Sequence, residues 1–554
     1  MKRLALVVLS LMLVMGLSVV AYAGPGSVVI KTDGDITAKF GAQVRMIPTY
    51  EKNWDFGIKE KTGIGTFTVH LNEAGLPSQG YIRSEDRLYF NFAKGDIWDV
   101  YFALEWDDAL SSRTADRSTQ QQGDFGTFGI ERLNASIKLP WIYSRFNAGW
   151  DVYTVDLDAG SLVYTDDDPG FNLVGGVANI DWKFGYHKVV ESNRRIIFPS
   201  IAGTPSTITV NNEFNTGYDN DRSIWSARVN YTLFKDTKIG LIYALNDQKV
   251  RGNFPTGDPC VAPNCQNVNA NFISPIFVGS IAGFKIAAQY SHMWGSADKM
   301  GVFNAAAPTG DYTIDSNAAF LDVAYDMTPM FGFRFIPHVG VLWSQGDSDP
   351  TDNKLGGYTG KNFQRFTSSF GGENTIIADS NPVFGSFLYS FLPDLVGNQS
   401  GNLAVGGLIG TGRGDNPGLL LVGGGITVDP IKNWSYRTNA YYLQYNENFV
   451  VAGSCVRAAG VAAATPCAGV TKAVTDSGFG VAWDNEVSWW LDKNMVIKGQ
   501  FSFIFPTGGA VEQITEGLSN RKTVTSDAGA FTTIPGVATN DTAIRLALEL
   551  LWNF

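Results

Sequence analysis

Charged residues recur at every second position in several stretches of this 554-residue chain. In "RSEDRLYFNF", Arg83, Glu85 and Arg87 share one phase while Leu88, Phe90 and Phe92 take the other. Lys39 and Arg45, Glu105, Arg132 and Lys138, and Arg145 and Asp151 stand on the polar phase of similar runs. A two-residue period puts such side chains on one face of an extended strand. Neighbouring strands would then set Lys39, Arg45, Arg83, Arg87, Arg132, Lys138 and Arg145 side by side as a positive wall, with Glu85, Glu105 and Asp151 among them. The chemistry of such a wall is electrostatic: it sorts charged solutes and makes or breaks no bond.

Patterns for bond-making chemistry do not emerge. His70, His187, His292 and His338 are scattered, and no Ser or Cys nucleophile recurs beside them with a carboxylate. The segment "GTGRGDNPG" lacks the Lys-Ser/Thr of a phosphate loop and reads as a turn. There is no C-x-x-C-H haem site, and the spacing in "VDLDAGSLVYTDDDPG", with Asp156, Asp158, Asp166, Asp167 and Asp168, does not match an EF-hand loop. No enzyme and no cofactor are expected.

The elements that would carry the wall begin after an export leader. Lys2 and Arg3 precede an apolar core over residues 4–20 and the small-x-small pattern Ala21-Tyr22-Ala23, which predicts cleavage before Gly24 and one domain over residues 24–554. Removal of the leader leaves 40 Lys+Arg against 53 Asp+Glu, a formal charge of −13 that discourages nucleic acid as a partner. Downstream, no apolar run reaches the 18 or more residues of a helical span. The chain is therefore either exported and soluble or spans a membrane as strands.

Alternation favours strands that span. In "DITAKFGAQVRMIPTY", Ile36, Ala38, Phe40, Ala42, Val44 and Met46 alternate with more polar residues over more than the roughly 9–11 residues of a tilted membrane strand. Hairpins such as "RSEDRLYFNF"/"WDVYFALEWDD" and "GVAWDNEVSWW"/"MVIKGQFSFIF" join through short turns rich in Lys, Asp, Asn, Gly and Pro, whereas the segments between hairpins run to tens of residues. Short turns on one rim and long loops on the other are typical of transmembrane barrels; a soluble sandwich would lack the bilayer-sized apolar band. Trp98, Trp106, Trp141, Trp150, Trp225, Trp343, Trp434, Trp489, Trp490 and Trp552 lie at or near predicted strand ends, where indole favours the membrane interface. The predicted fold is all-β, a transmembrane antiparallel β-barrel of about 18 strands, or about 16 if the segments at 171–179 and 182–190 are not strands. Alternation alone does not say which face of each strand points inward.

Four cysteines form two close pairs, each inside a loop-like segment. In an oxidising compartment Cys260–Cys265 and Cys455–Cys467 are expected as local disulfides.

The leader, the repeated hairpins and the last strand, "DTAIRLALELLWNF", together resemble Gram-negative outer-membrane porins. The connection before "GLLLVGGGITVDPIKNWSYRTNAYYLQY" resembles that of the alginate-export-like barrels, which also have 18 strands. The resemblance implies the outer membrane of a Gram-negative bacterium and contact with its lipid. It also implies that the barrel-assembly machinery reads the terminal strand, with Leu550, Trp552 and Phe554 as the signal. It further implies a passive channel for ions and small hydrophilic solutes, and it admits a homo-oligomer. In such porins a third outer loop folds inward and sets acidic groups against a basic wall. Here that loop would carry Asp156, Asp158, Asp166, Asp167 and Asp168, unless these form an exposed loop tip. The apolar "PVFGSFLYSFLPDLVG" within 346–417 is expected either over the pore or on the outer rim. Other roles considered are a sheath around a partner such as a cytochrome, a polysaccharide-export-like channel and a barrel enzyme.

Overall fold

The computed structural model describes residues 28–31, 35–53, 56–57, 78–109, 127–191, 219–251, 265–300, 310–349, 351–358, 416–452, 454–457, 471–526 and 528–554. Within them eighteen long strands form the wall: β1 (Ile36–Lys52), β2 (Ser78–Lys94), β3 (Trp98–Ala109), β4 (Thr127–Leu139), β5 (Ser144–Thr154), β6 (Thr165–Val177), β7 (Ile180–Glu191), β8 (Asp219–Phe234) and β9 (Thr237–Arg251). The second half continues with β10 (Cys265–Ile281), β11 (Phe284–Met300), β12 (Gly310–Tyr325), β13 (Arg334–Ser344), β14 (Leu419–Asp429), β15 (Trp434–Tyr445), β16 (Gly478–Trp490), β17 (Met495–Pro506) and β18 (Ala543–Asn553). Each pairs antiparallel with the next, and β18 returns to β1 from Gln43↔Asn553 to Lys52↔Ile544. The sheet is a closed barrel, so no edge strand is left in its wall.

Connections on one rim are brief: residues 95–97, 140–143, 178–179, 235–236, 282–283, 326–333, 430–433 and 491–494. On the opposite rim they span 53–77, 110–126, 155–164, 192–218, 252–264, 301–309, 345–418, 446–477 and 507–542. The segments around 171–179 and 182–190 are part of β6 and β7, which makes the count eighteen rather than sixteen.

Burial is inverted relative to a soluble domain. Leu88, Leu133, Ile137, Leu546 and Leu548 are each more than 40% exposed, whereas Arg45 is 7%, Glu85 3% and Glu549 0% exposed. The register puts Leu546, Leu548, Leu550 and Trp552 on one phase of β18 and Arg545 and Glu549 on the other. The apolar phase faces out and the polar phase in, as a lipid-embedded barrel requires. Trp98, Trp141, Trp434, Trp489 and Trp490 gather at the short-turn rim, with the Trp434 and Trp489 rings stacked 5.4 Å apart.

Two long connections build structure above the barrel. Ser454–Arg457 pairs in parallel with Arg521–Val524, which pairs with Phe531–Ile534, and the helix Gly509–Ser519 follows β17. Ala510, Val511 and Ile514 of that helix belong to one buried cluster with Ala482, Ile504 and Phe56.

Candidate functional site

The interior has a charged wall carried by β17, β18 and β1–β5. At its centre, Arg45 of β1 lies 2.8 Å from Glu85 of β2 and 3.2 Å from Glu549 of β18. Glu549 also takes Lys498 of β17 at 3.0 Å. Glu85 is shared, with Arg87 at 2.9 Å and Arg83 at 3.6 Å. Arg83 Nε donates to Asp107 at 2.7 Å, and Arg87 pairs with Glu105 and, at 3.6 Å, with Glu131. Glu131 holds Arg132 at 2.7 Å, and Arg132 lies 3.6 Å from Asp151. Near the long-connection rim Arg545 and Glu51 stand 3.7 Å apart, with the Tyr81 hydroxyl donating to Glu51 at 3.1 Å.

The expected positive wall is therefore corrected to a chain of alternating sign. Lys498, Arg45, Arg83, Arg87 and Arg132 are five cations, and Glu549, Glu85, Asp107, Glu105, Glu131 and Asp151 are six anions, a net of −1. The reason is physical. Guanidinium groups that enter a poorly hydrated interior need partners, and neighbouring strands supply carboxylates at matching heights. Closer to the short-turn rim, Lys138 pairs with Asp96, and Arg145 pairs with Asp99 and donates to Ser136 Oγ at 2.7 Å. Lys138 on Asp96, in the 95–97 turn, holds that carboxyl below its ordinary range. Lys39 is exposed.

Glu131 was not legible from alternation, which assigns it to the face opposite Arg132. The β3–β4 register slips between Ala103 and Leu104, opposite Arg132 and Ile130, and leaves Glu131 as the extra residue of a bulge. A bulge re-aims a side chain; here it brings Glu131 beside Arg132 on the ladder. Lys498, Arg545 and Glu549 sat on the polar phase of their strands but far from the other charges in sequence, so only barrel closure shows their partners.

Opposite the ladder, the inner face carries an apolar patch set among buried polar residues such as Asn246, Ser274, Gln289 and Ser316. Ile242, Ala244, Val268, Ala270, Met293, Ala297, Ile314 and Ala318 on β9–β12 are all fully buried, and Leu421 and Tyr441 continue the patch on β14 and β15. What covers part of it is the 155–164 connection. Val155 N–H bonds to the Tyr164 carbonyl at 3.0 Å and closes the loop at its base. The loop reaches β11, β12 and the 345–418 connection: Gln289 Nε2 donates to Asp156 at 2.8 Å, a Cβ at residue 160 would lie 2.8 Å from Phe320 Cβ, and Tyr358 donates to the Leu162 carbonyl at 2.8 Å. On β8, Arg228 grips the half-exposed Asp158 with both terminal nitrogens, at 2.6 and 2.7 Å, and holds that carboxyl low against the partial desolvation around it.

The acidic loop residues do not form one face. Asp156 is turned into its own loop, Asp158 is paired with Arg228, and Asp168 accepts the Tyr164 hydroxyl at 2.5 Å. Asp166, Asp167 and Asp168 belong to β6, in register with Tyr153, Val152 and Asp151, and are not in the loop. The expected acidic loop set against a basic wall is corrected accordingly. Sequence inspection missed Gln289, Arg228 and Tyr358, which hold the loop from distant strands and carry no local motif.

His187 is buried between Tyr153 and Tyr164, ring centroids 4.3 and 5.2 Å away. His338 bridges Asp322 and Asn439 at 2.8 and 2.7 Å. Among the described residues no group of three or more His, Cys, Asp or Glu could hold a metal ion. Both cysteine pairs, the leader, His70 and "PVFGSFLYSFLPDLVG" lie outside the described residues or side chains.

A closed wall with an apolar outer band and a paired, charged inner face decides the architecture. The chain is a membrane-spanning β-barrel. No protein-family model matches it and no curated protein matches it. Solved structures similar to it include a BenF-like porin from Pseudomonas fluorescens Pf-5, at 9% identity, covering 93% of this chain and 98% of that one, with a TM-score of 0.43. Pseudomonas aeruginosa OccK2 matches at 10% identity over 93% and 98%, TM-score 0.43, and an anion-selective porin from Comamonas acidovorans at 8% over 94% and 100%, TM-score 0.36.

Proposed function

We propose that the barrel is an outer-membrane channel of a Gram-negative bacterium, through which ions and small hydrophilic solutes diffuse passively down their gradients. The observation that carries this reading is the charge ladder inside a closed barrel whose outer face is apolar. A transmembrane barrel has no structural need for eleven charged groups on one inner wall; a water-filled path gives them a role in sorting solutes. The 155–164 loop is seated against β11 and β12, so the path runs on its other side. It is bordered by Lys39, Arg45, Arg83, Glu85, Arg87, Glu105, Arg132, Lys138, Arg145 and Asp151. The barrel reaches its membrane after removal of residues 1–23, with Leu550, Trp552 and Phe554 offered to the assembly machinery, and Cys260–Cys265 and Cys455–Cys467 staple its loops.

A ladder with balanced signs filters ions only weakly. The refolded mature protein in a planar bilayer under a salt gradient is expected to give stable open steps with a reversal potential near zero. Changing Arg83, Arg87 and Arg132 together to Ala should move that potential toward cation preference. A correctly folded barrel that passes no current would overturn the reading.

A further inference from the structure

Asp156 is the hub of the loop that crosses the barrel interior. Its side chain is fully buried. Oδ2 accepts from the Val163 N–H at 2.7 Å and from Gln289 Nε2 at 2.8 Å, and Oδ1 accepts from the Tyr164 N–H at 3.2 Å. All three donors are neutral. The charged and titratable groups on the surrounding elements have other partners: Arg228 of β8 on Asp158, Lys183 of β7 on the Thr154 carbonyl at 2.5 Å, and Asp168 of β6 on Tyr164. His187 of β7 stacks on Tyr164, β11 presents neutral Gln289 and Ser291, β12 presents Phe320, and Tyr358 bonds to Ser291 and Leu162.

We propose that Asp156 is a proton-operated latch: its protonated form keeps the 155–164 loop seated across the lumen, and its ionisation favours release of the loop and a wider path. The proposal rests on the channel reading given above and adds its regulation. Seating places a carboxylate in a dry pocket without a direct cation, whereas a released loop returns it to water. Burial pushes the Asp156 carboxyl up from its ordinary 3.8 to about 6, with the Gln289, Val163 and Tyr164 hydrogen bonds and then Arg228 opposing the rise. A raised value in the seated state means that the seated loop binds the proton more tightly than the released one. The advantage of seating is therefore fully present below the ordinary carboxyl value and is lost as pH rises through about 6. A difference of about two units corresponds to a seated-to-released ratio that falls about 100-fold across that window.

Hydrogen exchange of the Val163 and Tyr164 amides, corrected for intrinsic rates and followed from pH 4 to pH 8 in micelles, reads the latch without current. Protection should fall by tens of fold through about pH 6, and Asp156→Asn should abolish that fall. Gln289→Leu, which removes a donor to the ionised form, should move the midpoint to higher pH, a shift that a merely structural role would not produce. Bilayer recordings should show wide-level dwell times lengthening over the same range. Wild-type protection that is flat with pH, or the same fall in Asp156→Asn, overturns the latch. A Gln289→Leu midpoint that stays in place also overturns it should Asp156→Asn fail to fold. PH-dependent exchange with no current at any pH would leave the latch standing and remove the channel reading; current without pH dependence in either readout would do the reverse.

Discussion

The two halves of the barrel interior solve opposite problems with the same β geometry. Along β17, β18 and β1–β5, carboxylates and guanidinium groups interlock until each buried charge has a partner. Along β9–β12 the inward phase mixes small and branched apolar residues with neutral polar ones such as Ser274 and Gln289, and the 155–164 loop packs against β11 and β12. The first half concentrates the fixed charges, and the second gives the 155–164 loop a surface to rest on. A channel of this kind is asymmetric around its circumference: one side is built for contact with solute and the other for support.

The sharpest way to break the contrast is to move charge to the wrong half. Ala270→Asp would bury a carboxylate without a partner, and a loss of about 4–5 kcal/mol or a failure to fold is expected in urea unfolding. Gln43→Glu, beside the ladder, should cost far less in the same assay. Removing the shared anion comes next. Glu85→Ala leaves Arg45, Arg83 and Arg87 without their common partner and should cost about 3–5 kcal/mol while moving the reversal potential toward anion preference. On the support side, Gly160→Leu has no room against Phe320 and Gln289. It should cost about 1–3 kcal/mol and raise single-channel conductance by unseating the loop. Lys138→Ala ends the series: its pair with Asp96 is largely exposed, so the urea midpoint and the conductance should both stay where they are.

The architecture was legible because a two-residue alternation over membrane-length runs, with short and long connections in turn, leaves few other solutions. The site was legible by half. Arg83, Glu85 and Arg87 declare their shared face in sequence, but which acid meets which base is set by strand register, which alternation does not encode. Glu131 was hidden by a bulge, a change of one residue in register with no compositional mark. The loop contacts of Gln289, Arg228 and Tyr358 cross tens to nearly two hundred positions of sequence, beyond the reach of any local pattern. Asp166 and Asp167 looked like loop residues because acids are rare in strands, yet pairing with β5 carries β6 through them.

The seam of the barrel has a consequence for its biogenesis. The final residue, Phe554, exchanges both backbone hydrogen bonds with Ala42 of β1, at 2.6 and 2.9 Å. The wall is thus sealed by β1 and β18, separated by some five hundred positions. Until β1 and β18 meet, the sheet has two unsatisfied margins, and a variant lacking residues 543–554 keeps them. Such a variant would expose two strand edges as templates for edge-to-edge aggregation, so closing the seam is the step that removes this hazard.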